Sequence, residues 1–449
     1  MSYITIETNA FDADTKQIVL SLVFVSGAIF EFWVARQPFF VLPPAGFAVY
    51  CFIFHVLGGL SYFAFDQKSV SQFYVTDESA LWGGLYTIVA VNTLWVAFYA
   101  ARGLHIPGLQ RFRIVNVSLS AIALLSLVGV LSFILSVAVG AYGYGSTNDE
   151  LDAYLRFGVK LGLLSIVLTI IFWNRSPLFR PMLITLLVIN IVIGLAWGSK
   201  STALMPVVLA IVTFYFTRQR VQPTYWLLAF LTLTIAYVVV EPFRVYYEAM
   251  GRNVDLSSPA KLLDAFQRGR EFSSGMQENY VQSFLDRNNY VVPLAKTLEF
   301  ADGYNLYRTE EWSDLLLSPL YAVVPRFLWQ SKPLADFGQW ASVNIFGLPA
   351  TTSTGITPQG YAYLVARLPG ILFFFSIAGV IQRVIFNSLY LNASLVAFYI
   401  IMYAEVCYPA VVPWTYVSGT IKSLVLIIPV AALLSMLSRG KKHAGASAS

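Results

Sequence analysis

Eleven apolar runs dominate this 449-residue chain, and they restrict its fold more than any other feature. They lie at 18–35, 40–64, 80–100, 114–139, 157–173, 181–197, 202–217, 225–243, 364–382, 388–406 and 412–437. A helix crosses the hydrocarbon of a bilayer with about 20 predominantly apolar residues. The runs at 157–173 and 202–217 are short for this, and Pro43 with Pro44 predicts a kink or an interfacial start for the second run. Only 12% of the residues are charged, about half the usual fraction for a soluble protein. Too few charges are present to coat a compact soluble domain. A soluble enzyme, a disordered chain and a nucleic-acid binder are therefore excluded, although the net charge is +5. The expected fold is all-α: a polytopic membrane protein of about eleven transmembrane helices with one large helical extracytoplasmic loop.

The segments between the runs alternate in charge. One set holds Arg36, Arg102, Arg111, Arg113, Arg175, Arg180, Arg218, Arg220, Arg383, Arg439, Lys441 and Lys442, with no Asp or Glu. The other set is the N-terminal tail and the loops at 66–78, 140–156 and 198–201, with 9 acids against 4 bases. Positive charge marks cytoplasmic loops. The first set is thus expected inside, the N-terminus outside and the C-terminus inside. This placement accounts for the net positive charge without nucleic acid.

One connection differs from the rest. Residues 244–362 hold 12 of the 24 acids and 10 bases, without a convincing span. A loop of such length is usually functional or has its own structure. Ser258-Pro259 reads as a helix start, Thr309 with Glu310 and Glu311 opens an amphipathic stretch through Leu317, and Asp302-Gly303 reads as a turn. The chain divides into a bundle over 1–243 (about eight spans), a helical cap over 244–362, three C-terminal spans over 363–438 and a basic tail over 439–449.

Cys51 and Cys407 sit in apolar runs and read as small core side chains, not as a disulfide. The chain has no CxxC or HExxH spacing, so no metal or other cofactor is expected. The N-terminus has no basic stretch ahead of its first apolar run, so a removable signal peptide is not expected.

Ionisable residues inside spans are expensive and are candidates for function. Here they are Glu31, Lys160, Glu241, Arg367, Glu405 and Lys422. Lys160, Glu241 and Arg367 fall near span ends, where snorkelling is the competing reading. Glu405 and Lys422 lie in consecutive spans and are expected to form an ion pair, structural or catalytic. Lys200, in Gly198-Ser199-Lys200-Ser201-Thr202, precedes a helix whose free N–H groups suit an anion such as a diphosphate. Arg244 lies among aromatics in Glu241-Pro242-Phe243-Arg244-Val245-Tyr246-Tyr247-Glu248, where a guanidinium can read a lipid phosphate through forked hydrogen bonds. The bland alternatives are a solvated turn lysine and an interfacial anchor.

Together the GSKSTAL turn at 198–204, PRFLWQSKP at 325–333 and TSTGITPQGYAY at 352–363, with many spans and one long outer loop, resemble bacterial O-antigen and exopolysaccharide repeat-unit polymerases of the Wzy type. The resemblance covers the plan of the whole chain and is strongest over 198–204, 241–248 and 322–370. It implies a membrane glycosyltransferase of the GT-C type in the bacterial inner membrane. Such an enzyme moves a growing glycan from undecaprenyl diphosphate to a hydroxyl of a new lipid-linked repeat unit, at the periplasmic face and without metal. It also implies the flippase and chain-length regulator of the same pathway as partners. Cations would then stabilise the departing diphosphate: Lys200, Arg244, Arg326, Lys332 and Arg367, with Tyr361 in the substrate site. A carboxylate would take the acceptor proton: Glu248, Asp336 or Glu299. The chain departs from the family in three ways. Arg326 and Gly338 are one residue too far apart for an Arg-x10-Gly pattern, Gln359 stands where relatives commonly have an acid, and the histidine motif of the ligases is missing. Two other readings stay open. One is a flippase or transporter for the same lipid carrier, against which the long loop and the absence of repeats argue. The other is a GT-C transferase using a prenyl-phosphate sugar, for which Asp66 and Asp77-Glu78 would supply outer acids.

Overall fold

The computed structural model describes residues 41–64, 75–114, 117–139, 149–196, 200–217, 259–274, 291–304, 311–324, 337–348, 356–407 and 413–444, and single positions within 18–33, 227–250 and 328–329. Among these residues all regular structure is helical. We number the helices α1 (Pro43–Ala64), α2 (Asp77–Ala100), α3 (Leu119–Ala138), α4 (Asp149–Ile171), α5 (Phe179–Ala196), α6 (Lys200–Phe216), α7 (Pro259–Ser274), α8 (Val291–Gly303), α9 (Glu311–Val323), α10 (Phe337–Asn344), α11 (Pro358–Ile385), α12 (Val396–Cys407) and α13 (Pro413–Ala444). Among the described residues four stretches are long and apolar enough to cross a membrane: Asp77–Ala100, Leu119–Ser136, Pro358–Tyr390 and Pro413–Leu437. Nine of the eleven apolar runs fall on described helices. The first and the eighth lie largely outside the described residues.

The helix starts follow from local chemistry. Thr76 caps α2 by accepting a hydrogen bond from Ser79 N, and Asp77 and Glu78 face the positive end of the helix dipole. Thr357 caps α11 in the same way through Gly360 N, with Pro358 in the first turn. The turn expected at 302–303 coincides with the end of α8 at Gly303, while the helix starts expected at Ser258 and Thr309 fall on residues outside the described ones, just before α7 (Pro259–Ser274) and α9 (Glu311–Val323).

Two parts of the plan differ from expectation. The run at 388–406 is not one helix. A π-helical turn, Phe386–Tyr390, extends α11, and α12 covers only Val396–Cys407. Residues 408–412 lie outside the described ones, and in the last described turn of α12 the Val406 carbonyl has two partners. Gln382 Nε2 donates to Val406 O at 2.8 Å, and Tyr416 OH donates to the same oxygen at 3.0 Å. Second, the 244–362 segment does more than cap the helix ends. α9 packs along α13, with Tyr321 edge-on to Trp414 at 5.4 Å, while Leu316, Leu320 and Val323 form an exposed apolar stripe on α9.

Small residues let the helices approach closely, as membrane bundles favour. Gly158 and Gly162, one turn apart on α4, meet Ser132 and Gly129 of α3. The most extensive helix contact joins α2 to α11. Three contacts fix its register. Tyr86 meets Tyr363, Leu94 and Ala97 meet Gly379, and Phe98 meets Arg383. The two helices therefore run side by side in the same direction. α8 packs on both of them near their N-termini, which defines the α8 end of the bundle. Arg102, Arg111 and Arg383 mark the opposite, arginine end.

Candidate functional site

α11 is broken where its sequence reads Ala366-Arg367-Leu368-Pro369-Gly370. Ala366 and Arg367 leave helical geometry (φ −153°, ψ 32° and φ 57°, ψ −147°). Pro369 offers no N–H and disfavours the helical conformation at the residue before it, so the ladder cannot continue through this point. Arg367 is the only described non-glycine residue with positive φ, in a region where side chains crowd the backbone. The chain folds over so tightly that a Cβ at Gly370 would lie 2.1 Å from Ala362 O. In the α2 register the break falls between Tyr86 and Leu94, near the middle of the bundle.

The strained residue is held by a polar cluster. Arg367 is 9% exposed. Its Nη2 donates to Ala301 O, its Nη1 lies 3.1 Å from Asp302 Oδ1, and its Cζ stands 5.1 Å from the Tyr363 ring centroid. Tyr363 OH donates to the Asp302 carboxylate, 3.0 Å from Oδ1 and 3.1 Å from Oδ2. The Asp302 side chain is nonetheless 57% exposed. A carboxylate is thus held by one hydrogen-bond donor, Tyr363 OH, and by the charge of Arg367, both from α11, while much of it stays accessible. Beside it runs an aromatic ladder: Tyr363 against Tyr86 at 5.1 Å, and Tyr86 stacked on Trp82 at 5.6 Å. The same end of the bundle is pinned by Glu299. Its Oε1 accepts from Thr76 N at 2.7 Å and Thr76 Oγ1 at 3.0 Å, and Lys296 Nζ lies 3.4 Å from Oε2.

A second ionic contact lies deeper. Lys160, midway along α4, pairs with Glu405 Oε1 of α12, and Ser423 Oγ of α13 donates to Oε2 at 3.2 Å. Both charged side chains keep more than a third of their surface open, 36% and 44%. The expected reading of Lys160 as a snorkelling end residue therefore gives way to a cross-bundle ion pair with Glu405.

The sequence candidates separate into three groups. Glu299 and Arg367 do not touch: Glu299 of α8 binds Thr76 and Lys296, whereas Arg367 of α11 binds Ala301 and Asp302 one turn further along α8. Glu299 is engaged at both oxygens and locks α8 onto the start of α2. The guanidinium of Arg367 is committed to Asp302 and Ala301, which makes it a positioning group for that carboxylate. Tyr361 is fully buried, edge-on to Phe337 at 4.5 Å, so it packs the core instead of lining a substrate surface. Lys200 is the first described residue of α6, and residues 197–199 before it lie outside the described ones. Arg244, Glu248, Arg326, Lys332 and Asp336 lie outside the described residues. Sequence reasoning missed Asp302, Tyr363, Tyr86 and Trp82 as a unit. A local signal existed for the break, since Leu368-Pro369-Gly370 inside an apolar run is poor helix. None existed for the Asp302 contact, which joins two helices distant in sequence. Among the described residues no group of three or more His, Cys, Asp or Glu side chains is arranged to hold a metal. No family model, curated protein or solved structure matches the chain.

Proposed function

We propose that the chain is a membrane glycosyltransferase that polymerises lipid-linked oligosaccharide repeat units, with eleven spans, a GT-C-like plan, the α8 end on the periplasmic face and the C-terminus in the cytoplasm. The observation that carries this reading is Asp302: an accessible carboxylate fixed by Arg367 and Tyr363 at a strained helix break, beside an aromatic ladder. A transfer to a hydroxyl needs a group that takes the acceptor proton, and such a group works best when held in one geometry. Asp302 takes that role, in place of Glu299, Glu248 or Asp336. Aromatic faces such as Trp82 and Tyr86 offer flat apolar surface to a sugar ring. Lys200, Arg244, Arg326 and Lys332 are assigned to the diphosphate leaving group, where fixed positive charge stabilises charge that develops in the transition state. The test is purified protein with repeat units on undecaprenyl diphosphate. A ladder of products is expected from wild type. Single units are expected from the Ala variants of Lys200, Arg244 and Arg326. Full-length ladders from all three would remove the diphosphate assignment.

A transporter of the same lipid carrier is the second reading, and two observations favour it. α11 is a broken helix near mid-bundle, a feature common around substrate sites in transporters. Lys160 and Glu405 form an ion pair deep among the helices, where ionisable residues usually mark a pathway. Reconstituted vesicles separate the two readings: movement of labelled lipid across the bilayer without glycan growth selects transport.

A further inference from the structure

The arginine end of the α2–α11 pair carries two guanidiniums that the function above does not use. Arg102 stands 5.1 Å above the Tyr99 ring. Arg383 stands 4.9 Å from the Phe98 centroid and 5.6 Å from that of Phe386. Phe98 and Tyr99 are themselves 5.8 Å apart, so the two cations sit on adjoining rings, and the like charge of Arg102 acts on Arg383. Among the described residues neither guanidinium has an ion pair or a hydrogen bond, and Arg383 Nε is buried without an acceptor. A hydrated surface arginine has no reason to hold a donor out of water unpaired.

Among the described residues no acid pairs with either guanidinium. The sequence has no Asp or Glu between Glu78 and Asp149, or between Asp336 and Glu405. Asn387 Nδ2 ties the turn in place by donating to Arg102 O at 2.9 Å and Leu104 O at 2.7 Å. The other end of that amide, Asn387 Oδ1, is a buried acceptor without a partner among the described residues, so it is the paired positive charge of the two guanidiniums that marks the site. Next to it, Val96, Tyr99 and Leu104 are exposed apolar side chains. Val96 and Tyr99 lie one turn apart on α2, N-terminal to Arg102, whereas Leu104 lies in the turn beyond the helix end.

We propose that Arg102 and Arg383 form a binding site for the phosphate of an anionic phospholipid, with its acyl chain along Val96 and Tyr99. The fork of a guanidinium matches phosphate oxygens through two parallel hydrogen bonds. Basic pockets between membrane helices bind such headgroups. The aromatic rings hold the two cations by cation–π attraction without neutralising their charge.

The full-length protein is purified in detergent and analysed by native mass spectrometry with added phosphatidylglycerol or phosphatidylcholine. Wild type is expected to retain phosphatidylglycerol in preference. R102Q/R383Q is expected to lose at least one bound lipid, with retention down about tenfold (a change of one decade,). R175Q/R180Q removes two arginines placed on other rings and is expected to match wild type. R383K keeps the charge and loses the fork, so intermediate retention with unchanged helical circular dichroism reports the site even if the double variant fails to fold. Equal phosphatidylglycerol retention by wild type, R383K and R102Q/R383Q overturns the proposal. Release of the lipid by millimolar inorganic phosphate, dependent on the same two arginines, overturns the lipid assignment in favour of a soluble phosphate ligand.

Discussion

The two halves of the α2–α11 contact differ in kind. Toward the arginine end the helices are continuous and pressed together: a Cβ at Gly379 would lie 2.4 Å from Leu94 O and 2.8 Å from Ala97 Cβ. Toward the α8 end the partner helix breaks, a charged residue takes a left-handed conformation, and a third helix brings an acid to it. The same two helices thus supply close packing in one half and positioned polar groups in the other. Backbone strain of about 1–3 kcal/mol persists only where surrounding structure enforces it. The rigid half is what allows the strained half to exist, and the two should respond differently to substitution.

The largest effect is expected at Asp302. Asp302→Asn keeps the size and the Tyr363 contact and removes the charge. A positioned acid–base group typically contributes about 10²–10⁴ in rate, so polymerisation should fall by that range while the thermal midpoint moves little. Equal activity in D302N would return the role of base to Glu248 or Asp336 and leave the break without a catalytic purpose. Gly379→Val tests the other half. The added atoms have no space against the Leu94 carbonyl, and overpacking of this sort destabilises by roughly 1–3 kcal/mol. The unfolding midpoint in detergent should drop, with turnover per folded molecule retained. A fall in turnover at constant midpoint would mean that the halves are not separable.

The same division explains how much was legible in the sequence. The close-packed parts follow from local composition: a span needs only a run of apolar residues, and α2 and α11 announce their starts through Thr76 with Asp77-Glu78 and Thr357 with Pro358. Leu368-Pro369-Gly370 marks a weak point, yet the apolar count across 364–382 outweighs it when spans are sought by hydrophobicity. α8 carries Pro293, Lys296, Glu299 and Asp302 within thirteen residues, so it has no span signal. Its value comes from packing against two distant helices, which no local window contains. The pairing of Glu405 shows the same limit. Nearness in sequence pointed to Lys422, whereas the fold brings in Lys160 from α4.

Arg367→Gly probes the strain itself. Glycine accepts φ 57° freely, which returns about 1–3 kcal/mol to the folded state. Against this stands the lost contact with Asp302, and that carboxylate is exposed enough for water to replace much of it. The two effects nearly offset, so the midpoint should stay within the range of about 1 kcal/mol while activity falls at least tenfold, because Asp302 loses the charge that helps to position it. A large stability loss would instead assign Arg367 a purely structural role. Arg367→Lys separates these further: it restores charge without the fork, and partial activity is expected only if the charge, and not the geometry, holds Asp302.

The smallest effect is expected at the deeper ion pair, and it sharpens the contrast between a strained site and a simple one. Lys160 and Glu405 sit on regular helices with ordinary backbone geometry, and each keeps over a third of its side chain open. Breaking a fully buried pair at one partner costs about 3–5 kcal/mol, whereas replacing both partners with apolar groups is often neutral. Their openness reduces the first figure toward the range of about 1 kcal/mol seen for exposed pairs. Glu405→Gln should therefore lower the midpoint slightly, and K160M/E405M should restore it. The cycle has a functional arm as well. If polymer growth is unchanged in K160M/E405M while D302N abolishes it, the chemistry belongs to the broken half of α11. If the double variant abolishes lipid movement in vesicles while leaving the fold intact, the ion pair belongs to a transport pathway and the transporter reading replaces the polymerase.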